Sequence, residues 1–194
     1  MPTHAKPAPG RLRIVGGTLR GSRLDVPDAP GLRPTPDRVR ETLFNWLAPT
    51  IAGAHCLDLF AGTGALGIEA LSRGAAQVDF VETDAQLATL LRGNLERLKQ
   101  TAPVHRSNAL QFLSGADSRY DIVFLDPPFT AGLWTAVTDT LEAHNRLQPG
   151  ALIYVESPAG EIPAMPANWI LHREGVAGAV RYSLYRRAEP SVKL

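Results

Sequence analysis

Two short stretches hold residues whose types and order can do chemistry. The first, Leu57-Asp58-Leu59-Phe60-Ala61-Gly62-Thr63-Gly64-Ala65-Leu66-Gly67, joins an acid to glycines spaced Gly-x-Gly-x-x-Gly. Glycines lack a Cβ, so the backbone can turn sharply and approach a ligand closely. The second, Phe124-Leu125-Asp126-Pro127-Pro128-Phe129, ends an apolar run with an acid, two prolines and an aromatic ring. Two prolines fix the backbone and remove two N–H donors. What projects there is carbonyl and carboxylate oxygen, all of it acceptor.

The glycine pattern gains meaning from its setting: it follows an expected strand and opens an expected helix. Glu82 ends the next strand, ~20 residues on, where an acid can accept hydrogen bonds from ribose hydroxyls. Dinucleotides and S-adenosylmethionine both suit such a loop. Asp58 leans toward the second, because it can face the positively charged amino-acid end of the cofactor while loop N–H groups take the carboxylate. A pyrophosphate gains nothing from a carboxylate so near. Asn108, after the third strand of this series, is placed to meet an adenine edge or to serve as an ordinary polar loop residue.

An acceptor-only site suits an NH2 group. An aromatic amine is a poor nucleophile, because its lone pair is delocalised into the ring. The Asp126 side chain and the Pro127 carbonyl can bind its two hydrogens and orient that lone pair. Phe129 can stack on the base that carries the amine.

These residues need a sheet whose strand ends share one rim. His55 to Phe60, Val78 to Glu82, Val104 to Ser107, Tyr120 to Leu125 and Ala151 to Glu156 are expected strands. Between them, Ala65 to Arg73, Ala85 to Lys99, Ala109 to Leu113 and Leu133 to Leu147 are expected helices, with Leu87, Leu90, Leu91, Leu95 and Leu98 turned inward on the second. Strands alternating with helices imply a mainly parallel sheet with right-handed crossovers. Asn168 to Glu174 and Val180 to Arg187 are expected to close it as an antiparallel pair across a Gly175 to Gly178 turn. Upstream, Thr35-Pro36 should open a helix, with Thr35 as its cap, Val39, Leu43, Trp46 and Leu47 on one apolar face, and Arg38 and Arg40 on others. Binding sites in open parallel sheets lie at the carboxyl ends of strands, so Asp126 and Gly62 share a rim.

Charge is unevenly spread. The first 40 residues carry eight bases against three acids, and the remainder twelve against sixteen. Residues 11 to 26 read as a basic hairpin of two strands, the second from Leu19, presenting Arg11, Arg13, Arg20 and Arg23 to phosphates. Three parts are expected: a disordered leader over 1–10, a basic extension over 11–34 and a catalytic domain over 35–194. The lone Cys56 excludes an intrachain disulfide, and the five histidines show no metal spacing. No apolar run is long enough for a membrane span and no signal peptide is evident, so the expected place is the cytoplasm.

The two motifs resemble those of S-adenosylmethionine-dependent methyltransferases acting on exocyclic amines. More narrowly, Arg13-Ile14-Val15-Gly16-Gly17, Gly31-Leu32-Arg33-Pro34-Thr35, Asp37-Arg38-Val39-Arg40-Glu41-Thr42-Leu43-Phe44 and Glu69-Ala70-Leu71-Ser72-Arg73-Gly74 make the chain similar, from Arg13 to Arg187, to the bacterial enzymes that methylate a guanine N2 in 16S ribosomal RNA. The resemblance implies a Rossmann-like class I methyltransferase fold: an α/β architecture with a mostly parallel seven-stranded sheet, a C-terminal antiparallel hairpin and a small N-terminal basic hairpin. It implies cofactor contacts from Asp58, Phe60, Ala61, Gly62, Thr63 and Gly64, from Glu82 and Thr83, and from Asn108, Ala109 and Asp126. Asp126, Pro127, Pro128 and Phe129 would form the catalytic motif. Arg11, Arg13, Arg20, Arg23, Arg33 and Arg38 would bind 16S RNA, within a small-subunit particle or an assembly intermediate, with no metal and no membrane. Thr35 and Arg38 could close over the cofactor or reach RNA.

Other classes fit less well. A same-fold enzyme acting on adenine N6 or a protein glutamine usually carries Asn before the two prolines. A dinucleotide-dependent oxidoreductase finds no proton relay in Asp126-Pro127-Pro128-Phe129. A non-enzymatic ribosome assembly factor leaves Asp126 without purpose.

Overall fold

The computed structural model describes residues 10–27, 35–115 and 117–188. Residues 1–9 of the expected leader, and Arg33, lie outside the described residues. Among the described residues, short apolar runs separated by helical segments give nine strands and five α-helices in the order β1 (Gly10–Arg13), β2 (Arg23–Val26), α1 (Asp37–Leu47), β3 (His55–Asp58), α2 (Ala65–Ser72), β4 (Gln77–Glu82), α3 (Ala85–Arg97), β5 (Val104–Arg106), α4 (Ala109–Gly115), β6 (Tyr120–Leu125), α5 (Trp134–Ala143), β7 (Leu147–Pro158), β8 (Trp169–Ala177) and β9 (Val180–Arg187). β1 and β2 pair with each other. The other seven strands form one sheet in the order β5-β4-β3-β6-β7-β9-β8. β5 through β7 run parallel, and β9 joins β7 and β8 antiparallel. The expected class I sheet with its terminal hairpin is thus present.

Alternation along the strands splits the core between the two faces of the sheet. Cys56, Phe80, Ile122, Phe124, Leu152 and Tyr154 pack under α1, α2 and α3. Leu57, Val81, Val123, Leu125, Ile153 and Val155 pack under α4 and α5. α2 is small and apolar enough to lie flat on the first face. A Cβ on its Gly67 would sit 2.2 Å from the Phe80 ring, so only glycine allows that approach.

Several expectations need correction. The hairpin is not a free basic arm: Leu12, Ile14, Leu24 and Val26 are buried in the first core cluster. Its second strand begins at Arg23, not Leu19, because Thr18 to Gly21 turn against the end of α2, where the Thr18 N–H donates to the Ser72 carbonyl at 2.7 Å. Arg40 does not fall on a solvent face of α1. It is fully buried, donating to Glu69 Oε2 at 3.2 Å and to the Arg13 carbonyl at 2.7 Å. Thr35 does not cap α1, whose first residue follows Pro36 with no side-chain cap; its hydroxyl is used elsewhere. α5 stops at Ala143, four residues before the expected end, where Asn145 turns with φ 55°. Leu147 is already strand, paired with Tyr120 ahead of a register shift in β6. On α3 the fully buried positions are Ala88, Leu91, Asn94 and Leu95, while Leu87, Leu90 and Leu98 are half-buried. β8 runs on to Ala177, so the final turn is Gly178-Ala179.

Candidate active site

Four acids stand at the carboxyl ends of four adjacent parallel strands. Glu82 ends β4, Asp58 ends β3, Asp126 follows β6 and Glu156 lies near the end of β7. The register pairs Asp58 with Phe80 and Phe124, and Phe124 with Tyr154. Phe80, Phe124 and Tyr154 belong to the cluster under α1 and α2. A period of two therefore puts Glu82, Asp126 and Glu156, with Asp58, on that same face. The row crosses the point between β3 and β6 where the strand order reverses, the usual ligand crevice of an open α/β sheet.

The glycine loop is built around two of these acids. The Gly62 N–H donates to Glu82 Oε2 at 2.8 Å, and the Gly67 N–H donates to Asp58 Oδ2 at 2.9 Å. Gly62 and Gly64 have φ of 53° and 82°, which lets the chain turn from β3 straight into α2. Ala61 and Thr63 are buried, Phe60 half-buried, and the Ala61 N–H donates to the Val81 carbonyl at 2.9 Å. Glu82 Oε1 accepts the Asp84 N–H at 2.8 Å, beside exposed Thr83. Asn108 is exposed and caps α4, its Oδ1 accepting the Gln111 N–H at 2.8 Å and its amide nitrogen donating to Gln111 Oε1 at 3.5 Å; Ala109, next in the chain, is buried.

In the second motif Pro127 is buried, Pro128 exposed, and Asp126 and Phe129 half-buried. The Phe129 and Trp134 rings are 5.9 Å apart, so the phenyl ring is backed by a fixed partner. The Trp134 indole N–H donates to the Glu156 carbonyl oxygen at 2.9 Å.

Glu156 and Thr35 join the site without having been expected in these roles. Glu156 is 4% exposed. Its Oε1 accepts the Thr35 hydroxyl at 2.7 Å and the Tyr154 hydroxyl at 2.8 Å. Sequence alone gives little warning, because an acid at a strand end is common. The usable signal was its place in the parallel series, one strand over from Asp126.

Among the described residues, none of the four acids forms an ion pair with Lys or Arg. Burial pushes the Asp58 carboxyl up to about 7, against the Gly67 N–H and with help from the Glu82 charge. Burial, then the charges of Glu156 and Asp58, hold Asp126 well above the usual carboxylate range. Glu156 is raised by burial too, although Thr35 and Tyr154 pull it back. Such a row suits a ligand bearing positive charge and N–H donors. S-adenosylmethionine, with its sulfonium, its ammonium and its ribose hydroxyls, matches that donor set.

The arginines of the N-terminal region divide. Arg11, Arg13, Arg20, Arg23 and Arg38 are exposed. Arg13 makes a solvent-exposed ion pair with Asp37 at 3.3 Å. No helix among the described residues is long and apolar enough to cross a membrane.

The chain is similar to known proteins over most of its length. Residues 12–186 match the family described as Conserved hypothetical protein 95. Ribosomal RNA small subunit methyltransferase D of Escherichia coli is 54% identical over 188 residues, covering 96% of this chain and 94% of that protein. The Haemophilus influenzae protein of the same name is 46% identical over 184 residues, covering 92% of this chain and 95% of that protein. The solved structure of Escherichia coli yhhF, 52% identical, superposes with a TM-score of 0.85 over 92% of this chain and 99% of that one. A Thermus thermophilus 16S rRNA N2 G1207 methyltransferase, solved with AdoMet and guanosine, shares the fold at 22% identity and a TM-score of 0.66, over 92% of this chain and 50% of that one. The chain therefore belongs to the ribosomal RNA small subunit methyltransferase D family of class I, S-adenosylmethionine-dependent methyltransferases.

Proposed function

We propose that this chain methylates the N2 amine of one guanine in 16S ribosomal RNA, within a small-subunit particle or an assembly intermediate in the cytoplasm. The observation that carries the reading is the row of acids, uncompensated among the described residues, that includes Asp126 of Asp126-Pro127-Pro128-Phe129, in a family whose named relatives are small-subunit RNA methyltransferases.

Bound S-adenosylmethionine supplies an electrophilic methyl group on a positive sulfur. The chain's own residues do the rest. Asp58 and the N–H groups of the glycine loop hold the amino-acid end, Glu82 the ribose, and Asn108 with Ala109 the adenine side. Asp126 and the Pro127 carbonyl accept the two hydrogens of the target amine, which fixes the direction of its lone pair. Phe129, backed by Trp134, stacks on the base after it leaves its own stack. Transfer would leave the nitrogen positive and the sulfur as a neutral thioether that keeps the electron pair of the broken S–C bond, and the row of acids would favour the charge on nitrogen. The excess proton then passes to Asp126, whose raised affinity for protons suits it to receive one. The exposed arginines of the hairpin and Arg38 contact RNA phosphates and position the substrate.

The test is transfer of labelled methyl from S-adenosylmethionine to undermodified small-subunit RNA and to particles, followed by mapping of the product. One N2-methylguanine is expected. Label on adenine, on protein or on no acceptor would overturn the reading.

A further inference from the structure

We propose that Glu156 determines base specificity: its carboxylate accepts the ring N1–H of the target guanine while Asp126 holds the neighbouring amine. This rests on the reading of the chain as a guanine-N2 methyltransferase. In guanine the amine at C2 adjoins N1–H, so that edge presents donors side by side. In adenine and cytosine the ring nitrogen beside the amine bears a lone pair instead. A site that must tell these bases apart needs an acceptor facing that ring position.

Glu156 is built for that place. Leu125 pairs with Val155, so Asp126 and Glu156 follow as neighbours on adjacent strands, on one face of the sheet. Three bonds fix Glu156. Thr35 and Tyr154 both donate to Oε1, and Trp134 donates to the main-chain oxygen. Among the described residues no hydrogen bond reaches Oε2, and no cation pairs with the carboxylate. A rigid, buried carboxylate with an oxygen to spare favours a donor and penalises a lone pair. The base stacked on Phe129, its amine at Asp126, would bring N1 toward the β7 side of the row. Thr35 and Tyr154 serve as positioning residues here: by occupying Oε1 they orient Oε2.

The discriminating substrate is RNA with 2-aminopurine at the mapped target position. That base keeps the C2 amine but has a lone pair at N1. The unaltered protein should prefer guanine over 2-aminopurine by about 10- to 100-fold in kcat/KM, the factor expected for one unmatched buried polar contact. Glu156→Gln keeps an acceptor oxygen for Thr35 and Tyr154 and turns an NH2 donor toward the base. It should cut that preference by about tenfold or more, with cofactor affinity and melting temperature near those of the unaltered protein. The intrinsic reactivities of the two amines cancel in this ratio of ratios. Equal loss on both substrates, or no change on either, would overturn the assignment and leave Glu156 as a tie between α1 and the sheet. If Glu156→Gln does not fold, Glu156→Asp, which withdraws the carboxylate by one methylene, must still lower the preference for the assignment to stand. No transfer to guanine by the unaltered protein would overturn both the specificity role and the function it rests on.

Discussion

Two groups of buried and half-buried acids sit on the same chain and have opposite surroundings. Glu69 in α2 is fully buried and fully answered: it accepts the Val15 and Gly16 N–H groups at 2.9 and 2.8 Å, Arg40 at 3.2 Å and Arg73 at 3.0 Å. Glu142 in α5 is similar. Burial pushes its carboxyl up, and bonds from Arg187, Trp169 and Asn168 outweigh that and leave it below its ordinary value. Glu82, Asp58, Asp126 and Glu156 have no such cations among the described residues, and three of them are raised. An answered acid ties elements together. The unanswered ones lie where we propose that the cofactor and the target amine bind. Burial alone does not separate architecture from chemistry here; the presence of a built-in cation does.

The comparison can be broken at several points. Removing Arg40 strikes the answered group. Arg40→Ala leaves Glu69 buried without its fully buried cation and should cost about 3–5 kcal/mol, visible as a large fall in the urea midpoint. A loss under about 1 kcal/mol would mean Glu69 does not depend on that partner. Asp126→Ala strikes the unanswered group. It should lower kcat by about 10²–10³-fold with cofactor affinity nearly intact, and no loss of stability is expected from deleting a charge that burial disfavours. Full activity would remove Asp126 from the mechanism.

The same contrast sets a pH dependence. An acid raised by folding binds its proton more tightly in the native state. The stability Asp58 adds is thus complete below about pH 4, its unfolded value, and is lost as pH rises through about 7. Glu142 works the other way: its contribution is present above its unfolded value and lost as pH falls through the lower folded one. Thermal melts of the cofactor-free protein should show stability declining between pH 5 and 8, in the sense Asp58 dictates, and Asp58→Asn should flatten that decline. S-adenosylmethionine should restore the lost stability, and more so at the higher pH. An Asp58→Asn variant with an unchanged slope would contradict this.

The smallest effect belongs to the surface. Charge removal at Arg11, Arg20 and Arg23 should flatten the salt dependence of RNA binding by about 0.7–0.9 in slope per lost phosphate contact. Arg13 already pairs with Asp37, so its loss should change the slope least. An unchanged slope in the triple variant would take the hairpin out of the RNA interface.

Much of the fold was legible because the strands at its centre are short apolar runs ending in polar signals, and such runs alternate with helices. Asp58, Gly62 and Asp126 could be read from spacing because each stands at, or within four residues of, the end of a strand. Arg40 could not, since helical periodicity counts a charged residue as solvent-facing, and the acid that buries it, Glu69, lies in another helix. Thr35 failed for a related reason. Before Pro36 it has the local marks of a helix cap, but its hydroxyl finds a stronger acceptor in Glu156, far along the chain. The end of α5 was overrun because His144 to Arg146 continue a helical pattern, and only pairing with β6 fixes Leu147 in a strand. Long-range partners decide such positions, and periodicity does not carry them.

The Thr35–Glu156 bond spans 121 residues, and those from Gly16 and Val15 to Glu69 span 53 and 54. During synthesis the N-terminal hairpin and α1 therefore emerge long before their partners exist. The hairpin can settle once α2 has been made, but the start of α1 must wait for β7, nearly the whole catalytic sheet. High sequence separation of this kind slows folding. It also makes closure of the rim a late event: the hairpin is in place first, and the edge that carries Glu156 is completed last.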